Sequence, residues 1–209
     1  RRLLDYYCSA IQESGISISL QKRIDSDTIK EFVPDYVILA LGAEPADLVF
    51  GVDDSANILQ AIDVLREERK LSGKIVIIGG GPVGLDAAEY LADQAATVTV
   101  LEMQKRVGGT LEWNVRKMKV KFLQEKGVSL LVNAKVLRVE RDGVVYMDSK
   151  GMENIIKADF VVLATGMKPR NRLERQLLNQ GLKVIVIGDA KLPRGFAEAI
   201  AEGYEAALL

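Results

Sequence analysis

The stretch "KIVIIGGGPVGLDAAEYL", residues 74–91, decides the fold class of this chain. Its first part, Ile75–Ile78, is a continuous apolar run of the kind found in strands that are buried on both faces. The turn "GGGPVG" follows, and Leu85–Ala92 then places its apolar residues at helical spacing. Thr97–Leu101 supplies the next strand. The order strand, turn, helix, strand predicts a βαβ unit and therefore a parallel sheet.

The turn itself carries the pattern Gly79-x-Gly81-x-x-Gly84. In dinucleotide-binding folds the first glycine allows a tight turn, the second lets the backbone approach a pyrophosphate, and the third brings the helix close to the strand. The amino terminus of the helix offers free N–H groups and the positive end of its dipole to an anion. This pattern, between a strand and a helix, predicts a dinucleotide site. The candidate cofactor-binding residues of the turn are Gly79, Gly80, Gly81, Pro82, Val83 and Gly84.

Glu102 stands at the end of the strand that follows the helix. An acidic residue at this place accepts hydrogen bonds from the adenosine ribose, and its charge repels a 2′-phosphate. Glu102 therefore favours NAD over NADP. Lys105 and Arg106 follow closely in the sequence and could bind a phosphate, although a solvated loop explains them more simply, so the choice between the two dinucleotides stays open at this point.

Composition argues against several other classes of function. The 28 basic and 29 acidic side chains nearly balance, which disfavours nucleic acid or an anionic membrane surface as a partner. The single cysteine, Cys8, cannot form an internal disulfide or a thiolate metal cluster, and it fits a reducing compartment, so a cytoplasmic location is expected. Histidine, the commonest general acid or base, is absent. Chemistry is therefore expected to come from a bound cofactor.

Strand and helix patterns continue to alternate over the rest of the chain. They predict an α/β fold with a Rossmann-like parallel sheet of βαβ units, interrupted by an antiparallel β-meander with a hairpin at Asp142-Gly143. A strand is expected at 16–20, a helix at 58–71, and a long amphipathic helix at 110–126. The apolar stripe of this last helix is expected to face the core; it consists of Leu111, Val115, Met118 and Phe122.

The sequence also contains two near copies of one segment. "DYVILALGAEP" runs over residues 35–45, and "DFVVLATGMKP" runs over residues 159–169. In each copy an aspartate precedes an apolar strand that ends in Ala-x-Gly, and a proline follows three residues after the glycine. Two copies with these shared features predict two homologous dinucleotide domains, although the chain carries one glycine-rich fingerprint.

These motifs resemble the flavoproteins in which an NAD domain is inserted into an FAD domain. The segments "IGGGPVGLDAAEYL", "LEMQKRVGG", "MKPRNRL" and "IGDAKLPRGFAEAIAEGYEAA" are most similar to the carboxyl-terminal part of the enoate reductase, 2,4-dienoyl-CoA reductase and trimethylamine dehydrogenase family. The resemblance spans essentially the whole chain. It implies a partial FAD-type domain at 1–70, an NAD(H)-binding domain at 71–166, and a second FAD-type segment at 167–209. Because the FAD fingerprint comes first in this architecture, the fingerprint present here is expected to bind NAD.

The resemblance also implies roles for residues outside the fingerprint. Gly188 and Asp189 match a motif that contacts the flavin ribityl chain, although Asp189 could instead cap or turn the chain before the next helix. Gly166 would let the backbone pass near the nicotinamide, with an ordinary turn as the alternative. Asp86 matches a carboxylate that relatives place near the nicotinamide, and a charge in the first turn of a helix explains it equally well.

For the whole protein, the resemblance implies an NADH-dependent flavin oxidoreductase that passes hydride from NADH to FAD. The family's FMN-carrying barrel and its iron–sulfur site have no counterpart in this sequence, so the reducible substrate is not assigned. The chain alone is expected to bind dinucleotide, to be inactive without the flavin portion, and to form a homodimer through surfaces that lack their partners. Two alternatives remain at this stage: a non-catalytic dinucleotide-binding or assembly module, and a fingerprint that binds FAD.

Overall fold

The computed structural model describes residues 2–94 and 96–209. Its helices are α1 (Arg2–Glu13), α2 (Ser26–Glu31), α3 (Ala61–Arg66), α4 (Pro82–Ala92), α5 (Trp113–Glu125), α6 (Arg172–Asn179) and α7 (Phe196–Ala206). Its strands are β1 (Val37–Leu39), β2 (Ala43–Pro45), β3 (Gly51–Val52), β4 (Ile58–Gln60), β5 (Lys74–Ile78), β6 (Thr97–Leu101), β7 (Ser129–Leu131), β8 (Lys135–Glu140), β9 (Gly143–Met147), β10 (Glu153–Lys157), β11 (Phe160–Leu163), β12 (Met167–Pro169) and β13 (Val184–Val186). A 3-10 turn, Gly188–Ala190, precedes α7.

The described residues form two compact units. One comprises residues 2–41 and 171–209, and the other is Gly42–Arg170. The second unit is wider than the 71–166 segment because β4 joins the same sheet as β5, and α3 packs on α4. The assignment of residues 1–70 and 167–209 to an FAD-type domain stays a prediction.

A five-stranded sheet in the order β4-β11-β5-β6-β7 forms the centre of the unit Gly42–Arg170, and each neighbouring pair is parallel. Helix α4 connects β5 to β6, which run side by side over the whole of their length. Residues 74–101 thus form the βαβ unit expected from the sequence. The Rossmann-like α/β fold class is confirmed.

Both faces of β5 are buried because each is covered by a different layer. Ile75 and Ile77 pack in one core cluster with α4 residues such as Leu85, whereas Val76 and Ile78 pack in a second cluster with residues of β8 and β9. Side chains of a strand alternate between its faces. The continuous apolar run of β5 is therefore what a strand between two apolar layers requires.

A second sheet, in the order β10-β9-β8-β3, provides the second layer. Its strands β8 and β9 form the antiparallel hairpin that the sequence predicts, with Glu140 paired to Gly143. The two-residue turn is therefore Arg141-Asp142, one position earlier than expected. Gly143 is required inside β9, since a Cβ atom there would lie 2.4 Å from the carbonyl oxygen of Ile156 on β10.

The two repeated segments form a strand in each unit. In the first copy, β1 pairs in parallel with β13, and in the second copy β11 lies between β4 and β5. The residues that follow each Ala-x-Gly turn, β2 and β12, pair with each other as antiparallel strands in the unit Gly42–Arg170.

Three local predictions are wrong. Residues 16–20 are exposed and form no strand in the structure. A helix is expected at 58–71. Residues 58–60 instead form β4, which extends the parallel sheet beside β11, and the helix in this range is α3 alone. The continuous apolar run at 36–41 predicts a strand buried on both faces, but in β1 Ile38 is exposed while Leu39 is buried.

The apolar stripe expected for the helix at 110–126 faces the core only at Leu111, which lies before α5 and packs against the core cluster; Val115, Met118 and Phe122 are exposed. In α5, Val115 is 53% exposed and Met118 is 74% exposed, whereas Leu123 is fully buried and Val120 packs beside it in the core. Neighbouring positions on a helix differ in direction by about 100°. The side of α5 that faces the sheet is therefore rotated away from the stripe.

No described helix has the length and apolarity to cross a membrane.

Candidate functional site

The glycine-rich turn lies where β5 ends and α4 begins, at the carboxyl edge of the parallel sheet. Gly79 has a φ of +107°, a conformation open to glycine but strained for other residues. Gly81 caps α4 in an extended conformation, and Pro82 is the first helical residue. Proline suits this position because the first N–H groups of a helix have no partner within it. The N–H groups of the first turn are thus available to an anion in front of the helix.

The three glycines of the fingerprint are required for different steric reasons. A Cβ atom at Gly79 would lie 2.3 Å from the carbonyl oxygen of Ala164 at the end of β11. A Cβ atom at Gly84 would lie 2.0 Å from the carbonyl oxygen of Gly79, so this glycine allows α4 to approach the turn closely. A Cβ atom at Gly81 would meet nothing within 4 Å. The protein itself does not need a glycine at position 81, whereas a ligand lying against this backbone would.

Glu102 is bound to the turn before any ligand arrives. Its Oε2 atom accepts a hydrogen bond of 2.7 Å from the N–H of Gly80, and its Oε1 atom accepts one of 2.7 Å from the N–H of Gln104. Gly80 is itself packed against the next loop, since a Cβ atom there would lie 2.7 Å from Cγ1 of Val107. The carboxylate therefore joins the fingerprint to the end of β6 and is held in a fixed orientation.

Three clefts meet at Gly81. The first, of about 620 Å³, is lined by Glu102, Lys105 and Arg106 among others. The second, of about 520 Å³, runs along the carboxyl edge of the sheet and reaches Gly166. The third, of about 110 Å³, lies beside Pro82 and Val83 and also reaches Gly166. A molecule laid across Gly81 could thus extend from Glu102 on one side to Gly166 on the other.

Gly166 is placed for backbone contact on this surface. Its φ is +104°, and a Cβ atom there would meet nothing within 4 Å. Its carbonyl oxygen accepts a hydrogen bond of 3.1 Å from the N–H of Ala46. The residue therefore serves as a turn at the end of β11, and the space beside it is open to a ligand.

Asp86 is engaged in an ion pair between two helices. The Nζ atom of Lys119 on α5 lies 2.7 Å from Oδ1 of Asp86 and also contacts the carboxylate of Glu89 on α4. Burial lowers the pKa of Lys119, but the hydrogen bonds with Asp86 and Glu89 outweigh it and raise that pKa above its ordinary value. In this structure Asp86 therefore joins α4 to α5.

Gly188 and Asp189 lie in the unit formed by residues 2–41 and 171–209. Gly188 has a φ of +61°, and its N–H donates a hydrogen bond of 2.7 Å to Oε2 of Glu202 on α7. The Oδ1 atom of Asp189 accepts a hydrogen bond of 3.0 Å from the N–H of Arg194. Asp189 therefore folds the loop in front of α7, as the capping alternative expects.

Glu202 holds this loop from the helix side, and the motifs of the sequence did not identify it. Its side chain is 12% exposed and pairs with Arg194 at 2.5 Å and with Lys191 at 3.2 Å. The hydrogen bonds from Arg194 and from the N–H of Gly188 lower the pKa of Glu202 to about 2. A carboxylate near the middle of a helix carries no sequence signal for a partner 14 residues earlier, so only the structure could show this role.

We expect Glu202→Gln to lower the melting temperature at neutral pH. A carboxyl group whose pKa is lowered on folding stabilises the folded state above its unfolded pKa, and that contribution is lost as the pH falls through its folded pKa. The ordinary pKa is 4.5 and the folded one is about 2. The difference in melting temperature between wild type and variant should therefore be constant above about pH 5 and shrink between about pH 4.5 and pH 2.

Thermal unfolding followed by circular dichroism across this pH range provides the measurement. Glu205→Gln is the matched control, because Glu205 is exposed on the same helix. A Glu202→Gln effect that is independent of pH down to pH 2 would contradict the assignment of this carboxylate as the partner of Gly188 and Arg194.

The fold and the glycine-rich turn together define an α/β module of the dinucleotide-binding class. Residues 4–191 match the model of the pyridine nucleotide-disulphide oxidoreductases, and the chain belongs to this family. It is thus an oxidoreductase module of the class that binds pyridine nucleotide and FAD. The family expected from the sequence motifs is confirmed.

Similar proteins include two enzymes with curated descriptions. NADH oxidase of Thermoanaerobacter brockii is 32% identical over 208 residues, which cover 97% of this chain and 32% of that protein. Cinnamate reductase of Clostridium sporogenes is 30% identical over 210 residues, which cover 99% of this chain and 31% of that protein. The chain thus spans about a third of the length of these relatives.

A solved structure shows the same arrangement of elements. 2-Naphthoyl-CoA reductase in complex with 2-naphthoyl-CoA has a TM-score of 0.86 and 29% sequence identity, over 96% of this chain and 30% of that chain.

Proposed function

We infer that this chain is the NAD(H)-binding portion of a flavin-dependent oxidoreductase that passes hydride from NADH to FAD. The single observation that carries the proposal is the open space at Gly81, in front of the amino terminus of α4 and between clefts that reach Glu102 and Gly166. A pyrophosphate needs this combination of close backbone approach and free N–H donors.

The residues present fit a dinucleotide in three places. Gly81, Pro82 and Val83 would hold the pyrophosphate, and the Glu102 carboxylate would accept the ribose hydroxyl groups of adenosine. Gly166 would border the nicotinamide end. When bound, the nicotinamide supplies the hydride, and the protein supplies binding and orientation. Orienting two reactants lowers the activation free energy by about 7 kcal/mol or more in favourable cases. Because orientation, and not a protein acid or base, is the contribution proposed here, the absence of histidine from the sequence does not argue against it.

Flavin binding in the longer protein is proposed for Gly188 and Asp189. The fixed turn at Gly188, with α7 directly behind it, places Asp189 at the amino end of a helix. This arrangement suits hydrogen bonds to a polar chain such as the ribityl group. The parent enzyme is proposed to resemble enoate and dienoyl-CoA reductases because the curated relatives include a cinnamate reductase and an NADH oxidase.

An assay with NADH and an artificial electron acceptor tests the functional proposal. The chain without added flavin should show no steady oxidation of NADH, because hydride transfer in this account requires the flavin portion. Oxidation that rises in proportion to the amount of chain, in a flavin-free preparation, would contradict it. A yellow protein after purification would instead favour the reading in which the fingerprint binds FAD.

A further inference from the structure

Strand β10 forms one edge of the second sheet. It pairs with β9 over its whole length, Glu153–Lys157, and the register between the two strands is continuous. Among residues 2–94 and 96–209, no other strand pairs with the outer side of β10. An open edge of this kind presents unpaired N–H and C=O groups to another strand unless a proline, a bulge or a covering segment blocks it. β10 has neither a proline nor a bulge.

The direction of the backbone groups in β10 follows from the end of its ladder with β9. The N–H of Ala158, the residue after β10, donates a hydrogen bond of 3.0 Å to the carbonyl oxygen of Asp142. In an antiparallel pair every second residue exchanges hydrogen bonds with the neighbouring strand, so residues 154 and 156 are the ones bonded to β9. The N–H and C=O groups that face the open edge are therefore those of Glu153, Ile155 and Lys157.

The side chains of these three residues share the outer face of the sheet, since side chains alternate between the faces of a strand. All three residues are exposed, and Ile155 is 60% exposed. On β9, Val145 lies directly opposite Ile155 and is 3% exposed. Ile155 thus continues an apolar row to the edge of the sheet, between a carboxylate on one side and an ammonium group on the other.

The two charged groups at the edge are incompletely paired within the chain. Nη1 of Arg138 lies 3.3 Å from Oε2 of Glu153, but the Glu153 side chain is still 58% exposed. Lys157 forms no ion pair with any residue of the described chain. Both charges are therefore accessible to groups of opposite charge on another molecule.

We propose that β10 pairs in antiparallel orientation with β10 of a second copy of this chain, about a two-fold axis at Ile155. Glu153 then lies opposite Lys157 of the second copy, and Lys157 lies opposite Glu153 of the second copy. Ile155 packs against its own counterpart. About six backbone hydrogen bonds form, because each of the three opposed pairs exchanges two. The two four-stranded sheets join into one continuous sheet.

The charge pattern of β10 favours this register over the others. A parallel pairing in register would place Glu153 opposite Glu153 and Lys157 opposite Lys157, and like charges directly opposite each other destabilise a sheet. An antiparallel pairing shifted by two residues would place Ile155 opposite a charged residue. The edge is thus complementary to itself in one arrangement, as a two-fold interface requires. This surface lies outside the three clefts at Gly81, so the inference goes beyond the proposed function.

An exchange of charges within β10 tests the register. Lys157→Glu alone, or Glu153→Lys alone, makes both cross-strand pairs like-charged and should weaken the dimer about tenfold or more. The double variant Glu153→Lys, Lys157→Glu makes both pairs opposite in charge again and should return the dissociation constant to within about threefold of the wild-type value. The two positions lie about 13 Å apart along the strand, so this rescue cannot come from a contact within one chain.

Sedimentation velocity over a dilution series measures the dissociation constant of each variant. Lys121→Glu is the matched control, because Lys121 is an exposed lysine on α5, outside the second sheet, and this variant should dimerise like the wild type. A wild-type chain that stays monomeric over the series would overturn the proposal. So would a double variant that dimerises as weakly as the single variants.

Ile155→Pro tests the backbone pairing without a change of charge. Proline is tolerated in an edge strand where the N–H that it removes faces solvent, as the N–H of Ile155 does. The variant should keep the circular dichroism spectrum of the wild type and lose the dimer. A folded Ile155→Pro chain that still dimerises like the wild type would show that the copies meet through another surface.

Amide hydrogen exchange in the wild-type chain needs no variant. The N–H of Ile156 is bonded to β9 and should be protected at every protein concentration. The N–H of Ile155 should exchange rapidly in the dilute monomer and become protected as the concentration rises. Exchange at Ile155 that does not depend on protein concentration would overturn the proposal even if all of the variants failed to fold.

Discussion

Gly81→Ala should abolish most of the affinity for NADH while leaving the stability of the chain unchanged or slightly higher. The added methyl group meets no protein atom within 4 Å, so the folded state tolerates it. It would occupy the space in which a pyrophosphate must approach the backbone at the start of α4. Losing one charge-assisted hydrogen bond costs about 2 kcal/mol, which corresponds to an affinity about 30-fold lower.

Calorimetric titration with NADH, paired with a thermal melt, separates the two expectations. Gly203→Ala is the matched control, since a Cβ atom at Gly203 on α7 also meets nothing within 4 Å, and this variant should bind NADH like the wild type. Unchanged NADH affinity in Gly81→Ala would mean that the ligand does not lie against this turn.

Gly84→Ala should destabilise the unit Gly42–Arg170. The new Cβ atom would lie 2.0 Å from the carbonyl oxygen of Gly79 and 3.1 Å from Cβ of Ala164, so α4 must move away from the turn and from β11. Such overpacking costs about 1–3 kcal/mol, and the gain in helix propensity, about 1 kcal/mol, offsets part of it. We therefore expect a net loss of up to about 2 kcal/mol and a melting temperature several degrees lower.

The comparison of Gly84→Ala with Gly203→Ala in chemical denaturation tests this expectation. Both substitutions replace glycine by alanine inside a helix, but only position 84 lies against another backbone. Gly203→Ala should raise stability slightly, by about 1 kcal/mol at most. A Gly84→Ala variant as stable as Gly203→Ala would show that α4 does not approach the turn as closely as the structure indicates.

Sequence reasoning identified the central βαβ unit because its signals are local and physical. β5 is buried on both faces and is therefore continuously apolar, and Gly79 and Gly84 have contacts that no other residue could make. The hairpin after β8 was recognised for the same reason, although its turn lies one residue earlier than expected.

The errors arise where a segment's state depends on distant partners. The apolar residues of Ile58–Gln60 continue the helical spacing of the residues that follow. Their backbone nevertheless forms β4, because it pairs with β11, about a hundred residues later in the chain. The apolar stripe of α5 has the period of a helix, but the period does not show which side of the helix faces the sheet. The side that carries Val120 and Leu123 faces the core. Glu202 and Lys119 form ion pairs that no local sequence pattern predicts.

The site could be predicted in part. The glycines, Pro82 and Glu102 come together around one turn, as their spacing indicates. The sequence could not show that both oxygens of Glu102 are already bound by backbone N–H groups. Nor could it show that Lys105 and Arg106 line the same cleft as Glu102.

Calorimetric titration of the wild-type chain with NADH and, separately, with FAD distinguishes a pyridine-nucleotide site from a flavin site at the glycine-rich turn. We expect saturable binding of NADH at one site per chain and only heat of dilution with FAD, because the fingerprint at Gly79–Gly84 is assigned to the pyridine nucleotide. Saturable binding of FAD with no response to NADH would contradict this assignment and would make the glycine-rich turn a flavin site.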